Sequence, residues 1–154
     1  MTQSKSTKTH SELTPSERLS HITTQIFYLN GKLLRFGDEF AAQFGLTAAR
    51  WQLLGAISLA AEAQTSPQIA ERMGMTRQGA QKQLNLLLEA GLIVALENEQ
   101  HKRSPKYALS AKGKRTFEQV NAAWLQVASS WAENFSEKKL TATQKSLDKL
   151  GELI

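Results

Sequence analysis

The chain of 154 residues contains no cysteine, which excludes disulfides, thiolate metal sites, cysteine nucleophiles and cysteine redox switches, and suits a reducing compartment. Only three prolines interrupt it, so long helices are permitted. The longest apolar stretch, Leu53 to Ala61 broken by Ser58, falls well short of the roughly 20 residues that a membrane span requires. The start, Met1-Thr2-Gln3-Ser4-Lys5-Ser6-Thr7-Lys8, has no apolar segment of the export type, so a soluble cytoplasmic protein, nucleoid-associated in a bacterium or archaeon, is expected. No glycine-rich phosphate loop, nucleophile elbow or paired histidine and carboxylate occurs, and no enzyme activity or cofactor is expected. The three histidines, at 10, 21 and 101, lack the helical spacing of a metal site.

Acidic residues are also in deficit, 14 against 19 Lys plus Arg, and the position of the excess is more telling than its size. Residues 65 to 115 hold nine basic and four acidic side chains, which accounts for the whole net charge of +5. Between 100 and 115 there are six basic residues (Lys102, Arg103, Lys106, Lys112, Lys114 and Arg115) and no acidic one. Like charges gathered this closely repel one another, which makes an anion their natural counterpart. A solvated basic hairpin without a partner has the same composition.

Punctuation divides the rest. Residues 1 to 13 are polar and aperiodic and read as a disordered tail. Thr14, Pro15 and Glu17 mark a helix start, and Ile22, Ile26, Leu29, Leu33, Phe36, Phe40 and Phe44 form one apolar face that ends at Gly45. Thr47 caps a second helix, with Leu46 and Trp51 placed as a hydrophobic staple. A polar linker, Ala61 to Thr65, precedes a short helix opened by Ser66 and Pro67 and closed by Gly74. Thr76 caps a helix that buries Ala80, Leu84, Leu87 and Leu88 and ends at Gly91. The β-prone runs 92–96 and 106–109 then predict a two-stranded hairpin with a long basic tip. Ser110 caps a helix of about two dozen residues striped by Phe117, Val120, Trp124, Trp131 and Phe135, and Thr141 with Gln144 reads as a capping box before Leu147, Leu150 and Leu153.

The helix from Thr76 leaves Arg77, Gln78, Gln81, Lys82 and Asn85 on its outward and flanking faces. Glutamine and asparagine can pair bidentately with adenine, arginine or lysine with guanine or phosphate, and the major groove admits one helix. Two helices across a tight glycine turn, followed by a basic hairpin, therefore predict a reader of double-stranded DNA, with Ser66, Thr76, Lys102, Arg103 and Lys106 completing the contact set. The stripes at Ile22, Ile26, Phe36, Trp124, Trp131, Phe135, Leu147 and Leu150 are too long and bulky for one small lobe to cover and predict a homodimer.

In order and spacing, the segments Leu46-Thr47-Ala48-Ala49-Arg50-Trp51-Gln52-Leu53-Leu54, Ile69 to Arg77, Leu87-Leu88-Glu89-Ala90-Gly91-Leu92-Ile93 and Leu109-Ser110-Ala111-Lys112-Gly113 resemble the MarR family of winged helix-turn-helix transcription regulators. The resemblance covers about residues 14 to 153. It implies a mainly α fold with a small two-stranded β wing: a dimerisation helix over 14–45, a winged helix-turn-helix lobe over 46–110 and dimerisation helices over 111–154. It also implies a regulator, a repressor that acts as a homodimer on a pseudo-palindromic operator and releases it when a small aromatic or phenolic anion binds near His21, Tyr28, Arg35, Arg50 and Trp51. Two positions depart from the family pattern. His101-Lys102-Arg103 replaces Asp, any residue, Arg in the wing, and Gln83 stands where an aliphatic is usual, which implies a slightly rotated reading helix. A winged-helix module that binds RNA or an acidic protein would share the basic hairpin.

Overall fold

The structure is a computed structural model that describes residues 13–154, so the tail assigned to residues 1–13 lies outside the described residues except for Leu13. The order of elements is α1 (Pro15–Ala42), α2 (Ala48–Ser58), β1 (Gln64–Thr65), α3 (Ser66–Arg72), α4 (Arg77–Glu89), β2 (Ile93–Leu96), β3 (Lys106–Leu109), α5 (Ala111–Ala132) and α6 (Glu137–Gly151). The fold is mainly helical with one small antiparallel sheet, and the chain divides into two compact units, Met1–Ala49 and Arg50–Ile154.

In the first unit, α1 opens as its sequence prescribes. The Thr14 hydroxyl accepts from the Glu17 N–H at 3.3 Å, and the Glu17 carboxylate accepts from the Thr14 N–H at 2.8 Å. Phe36, Phe40 and Phe44, spaced by four, meet along one face, with ring centroids 5.8 and 5.9 Å apart. Asp38 then holds the entry to α2 by accepting from the Ala48 N–H at 2.8 Å. Leu19, Ile22, Leu29 and Leu33 remain exposed on α1.

The second unit buries Leu53, Leu54, Ile57, Ile69, Ala70, Ala80, Leu84, Leu87, Leu92, Ile93, Tyr107 and Val120. Fully burying each large aliphatic side chain contributes roughly 1.5–3 kcal/mol. The face of α4 predicted to be buried is observed at Ala80, Leu84 and Leu87, while Leu88 and Gln83 are half-buried at its margins. Both turns that flank α4's helical pair depend on left-handed glycines. At Gly74 (φ 59°) the Met75 N–H reaches back to the Ala70 carbonyl, and at Gly91 (φ 67°) the Leu92 N–H reaches the Leu87 carbonyl, so each helix end recovers orphan acceptors.

Three expectations need correction. The sheet has three strands in the order β1-β3-β2, because Gln64 and Thr65, read as linker, pair with Tyr107 and Lys106. A two-residue strand shows no alternation and exists only through its partner. Thr65 occupies the cap position of α3, and Ser66, now inside the first turn, is buried; the Thr65 N–H and hydroxyl both donate to Gln68 Oε1, at 2.9 and 3.0 Å. Finally, α6 starts at Glu137 behind Ser136, whose hydroxyl accepts from the Lys139 N–H at 3.4 Å, so Thr141 and Gln144 lie inside the helix. The Ser-x-x-Lys start lacks the Glu or Gln of a capping box, and this concealed it.

Candidate nucleic-acid interface

The site is built on α4 and the hairpin β2–β3, both in the second unit. Thr76 caps α4 through a hydroxyl that accepts from the Gly79 N–H at 3.0 Å, which aims the first turn, with Arg77 and Gln78, into solvent. Lys82 and Asn85 follow on the exposed face. Gln81 is different: half-buried, it donates from Nε2 to Asn85 Oδ1 at 2.9 Å and to the Tyr107 hydroxyl at 3.2 Å. Tyr107 lies in the central strand and is buried, so the reading helix is tied to the wing by a side-chain hydrogen bond. The sequence placed Gln81 as an outward amide; the contact that turns it toward the wing comes from β3, the central strand, whose Tyr107 is buried with its hydroxyl against Gln81.

The wing loop, residues 97–105, is organised by a residue that the sequence reading did not single out. Asn98 is buried at 6% exposure; its Nδ2 donates to the Ser104 carbonyl at 2.9 Å and its Oδ1 accepts from the Gln100 N–H at 3.3 Å. Two backbone bonds, His101 N–H to the Asn98 carbonyl and Ser104 N–H to the His101 carbonyl, close the loop. Asparagine readily satisfies the backbone two residues on, and this propensity was the available signal. The two side-chain bonds of Asn98 give the wing loop local order.

At its root the wing is clamped to α5. The Ser110 N–H donates to the Leu92 carbonyl at 3.0 Å and its hydroxyl to the Gly91 carbonyl at 2.7 Å, while the same hydroxyl accepts from the Gly113 N–H at 2.9 Å. Lys112 Nζ donates to the Ala90 carbonyl at 2.7 Å, a cation on the last carbonyls of α4. Lys112 thus serves structure, whereas Lys102 and Arg103 project as exposed side chains from the tip. Arg77, Gln78 and Gln81 of α4 face Arg103 of the wing across one open concavity of about 330 Å³. No acidic side chain lines it.

This arrangement, with a reading helix, a glycine turn and a basic three-stranded wing, can be set beside known proteins. A family model described as MarR family matches residues 44–104. An uncharacterized protein, Rv2011c of Mycobacterium tuberculosis, is 36% identical over 135 residues, covering 88% of this chain and 93% of its own. The solved MarR family transcription regulator SP03579 is 25% identical with a TM-score of 0.71, over 88% of this chain and 94% of that one. The chain belongs to the MarR family. The MarR fold is further shared with a mutant E. coli MarR complexed with operator DNA (19% identity, TM-score 0.73, 90% and 99% covered). It is shared too with CouR of Rhodococcus jostii RHA1 bound to p-coumaroyl-CoA (18% identity, TM-score 0.74, 84% and 90% covered).

On this MarR scaffold the remaining candidate residues fall as follows. Lys106 is half-buried in β3, and Ser66 is buried beside the Arg77–Arg103 concavity. Among the ligand candidates, His21, Tyr28 and Arg35 are exposed on α1, where Lys32 Nζ sits 5.4 Å from the centroid of the Tyr28 ring. Arg50 and Trp51 belong to the second unit, and Trp51 packs edge-on against Trp124 at 5.5 Å, which in turn meets Trp131 at 5.6 Å. Of the dimer candidates, Ile22, Trp131, Phe135 and Leu147 are exposed, and Ile26, Phe36, Trp124 and Leu150 are half-buried. Among the described residues no helix is long and apolar enough to cross a membrane, and no group of three potential metal ligands occurs.

Proposed function

We propose that the protein is a homodimeric, ligand-responsive repressor that binds a pseudo-palindromic DNA operator. The observation that carries this reading is the facing of Arg77, Gln78 and Gln81 on the reading helix by Arg103 on the wing, across a single concavity free of acidic groups. A helix of this kind fits the major groove, and a basic tip beside it can neutralise phosphate or enter the minor groove. Ser66, Thr76, Lys82, Asn85, Lys102 and Lys106 complete the proposed contact set.

Dimerisation is supported by apolar surface that the single chain leaves uncovered. On α1 Leu29 and Leu33 are each 51% exposed, and α6 has no buried residue at all although it carries Leu140, Leu147 and Leu150. Surface of this kind marks a partner, and a second copy related by a two-fold axis would present two reading helices to half-sites one helical turn apart. Ligand response rests on family membership, with CouR's p-coumaroyl-CoA as the example of an aromatic anion. Tyr107, the one Phe, Tyr or Trp among residues 93–109, is buried, so the basic wing offers no such aromatic face for an RNA base to stack on.

The test is fluorescence anisotropy with a duplex library and matched single-stranded RNA across a salt series. Tight, salt-sensitive binding to duplex is expected; equal affinity for RNA would favour the alternative module.

A further inference from the structure

The hydrogen bonds of Gln81 assign it a defined chemical polarity. An amide nitrogen carries two hydrogens. Those of Gln81 go to Asn85 Oδ1 at 2.9 Å and to the Tyr107 hydroxyl at 3.2 Å, so the donors of this side chain are fully used inside the protein. Its carbonyl oxygen has no internal partner and is not sealed from solvent, and Gln81 lines the concavity between α4 and the wing. The acceptor therefore remains available for a ligand and the donors do not.

We infer that Tyr107 is a positioning residue for sequence reading: its hydroxyl, with Asn85, holds Gln81 as an acceptor-only probe that selects a base whose major-groove edge bears an exocyclic amino group. The inference rests on the DNA-reading function proposed above. An unconstrained glutamine pairs bidentately with adenine, through N6 and N7 together. Gln81 held as observed cannot make that pair. On the strand it contacts it accepts from the N6 amino group of adenine or the N4 amino group of cytosine, and is repelled by the O6 of guanine and the O4 of thymine. Asn85 uses only its oxygen in this network and keeps both amide hydrogens, so the pair presents an acceptor next to a donor. Because Tyr107 is buried in the central strand of the wing, the same bond couples the wing's seating to the polarity of the reading helix.

The consequence is a specific kind of degeneracy. At one position of each half-site, A·T and C·G in one orientation are accepted alike, and their inversions T·A and G·C are refused. The experiment is selection from a randomised duplex library with the full chain, followed by competition with single-position variants of the selected duplex. Wild-type protein is expected to show this amino-over-keto preference by about tenfold, as expected for one good base contact. Tyr107→Phe, which keeps the buried ring, should lose most of that preference at that position alone and leave the salt slope unchanged. Gln81→Glu, which retains an outward acceptor, should weaken binding overall yet keep the preference. A Gln81→Glu variant that reverses the preference would overturn the assignment of polarity. A Tyr107→Phe variant that retains every preference, when Gln81→Ala loses one, would overturn the positioning role. Failure of the wild type to enrich any duplex would instead overturn the DNA-reading function, and the inference with it.

Discussion

Gly113, the third residue of α5, sits where the wing returns to the helical body, and a Cβ built there would collide with the Leu92 carbonyl. That atom is backbone and accepts from the Ser110 N–H at 3.0 Å, so it cannot swing aside as a side chain would. To accommodate alanine, the start of α5 must move away from the end of α4. The bonds at stake are Ser110 N–H to Leu92, Ser110 hydroxyl to Gly91 and Lys112 Nζ to Ala90. Overpacking costs about 1–3 kcal/mol, and each weakened bond adds about 0.5–1.5 kcal/mol. Against this, replacing helical glycine by alanine returns about 1 kcal/mol of intrinsic propensity. The net expectation for Gly113→Ala is a loss of about 4 kcal/mol, the middle of the range these terms span, or roughly 8–16 °C in Tm for a chain of this size. Thermal unfolding followed by circular dichroism at fixed protein concentration measures it. Gly31→Ala is the control: its Cβ would meet only Arg35 at 3.9 Å, an ordinary contact, so the propensity gain should raise Tm. If both variants were stabilised equally, the clamp at the wing root would be refuted.

Three further expectations follow from the site. Asn98→Ala removes both side-chain bonds that order the wing loop and should cost about 1–2 kcal/mol locally, seen as faster amide exchange over residues 98–104 and weaker duplex binding with Tm little changed; unaltered exchange would contradict the role of Asn98. Arg103→Ala should lower the slope of log affinity against log salt by about one, and an unchanged slope would remove Arg103 from the phosphate-contacting set. Leu147→Glu, on a helix with no buried residue, should shift sedimentation from dimer to monomer, and a variant that remains dimeric would take α6 out of the interface. Trp124 is a poorer probe of that interface, because it packs between Trp51 and Trp131 within the chain and its loss would disturb the unit's own packing.

Much of this architecture is legible in the sequence because it is set by local chemistry. Thr14-Pro15-Ser16-Glu17 specifies its own capping box, and Gly74 and Gly91 fall where only a residue tolerant of positive φ ends a helix cheaply. The buried face of α4 follows from a 3.6-residue period. What the sequence concealed depends on partners distant in the chain. Gln64 and Thr65 become a strand only by pairing with β3, and Tyr107 is buried with its hydroxyl against Gln81 of α4, far away in the chain. The bond from Gln81 to Tyr107 spans 26 residues, and no periodicity reports it. Asn98 lies between these cases: its turn-forming habit is local, but its burial under the wing is not.

The central claim is that two copies of this chain read a duplex together, each through α4 and its wing. Selection from random duplex DNA, with the stoichiometry of the selected complex measured by sedimentation, tests it most directly. Two inverted half-sites with centres about 10 base pairs apart, bound by two chains, are expected. A single unrepeated site bound by one chain, or no enrichment over random duplex, would contradict it.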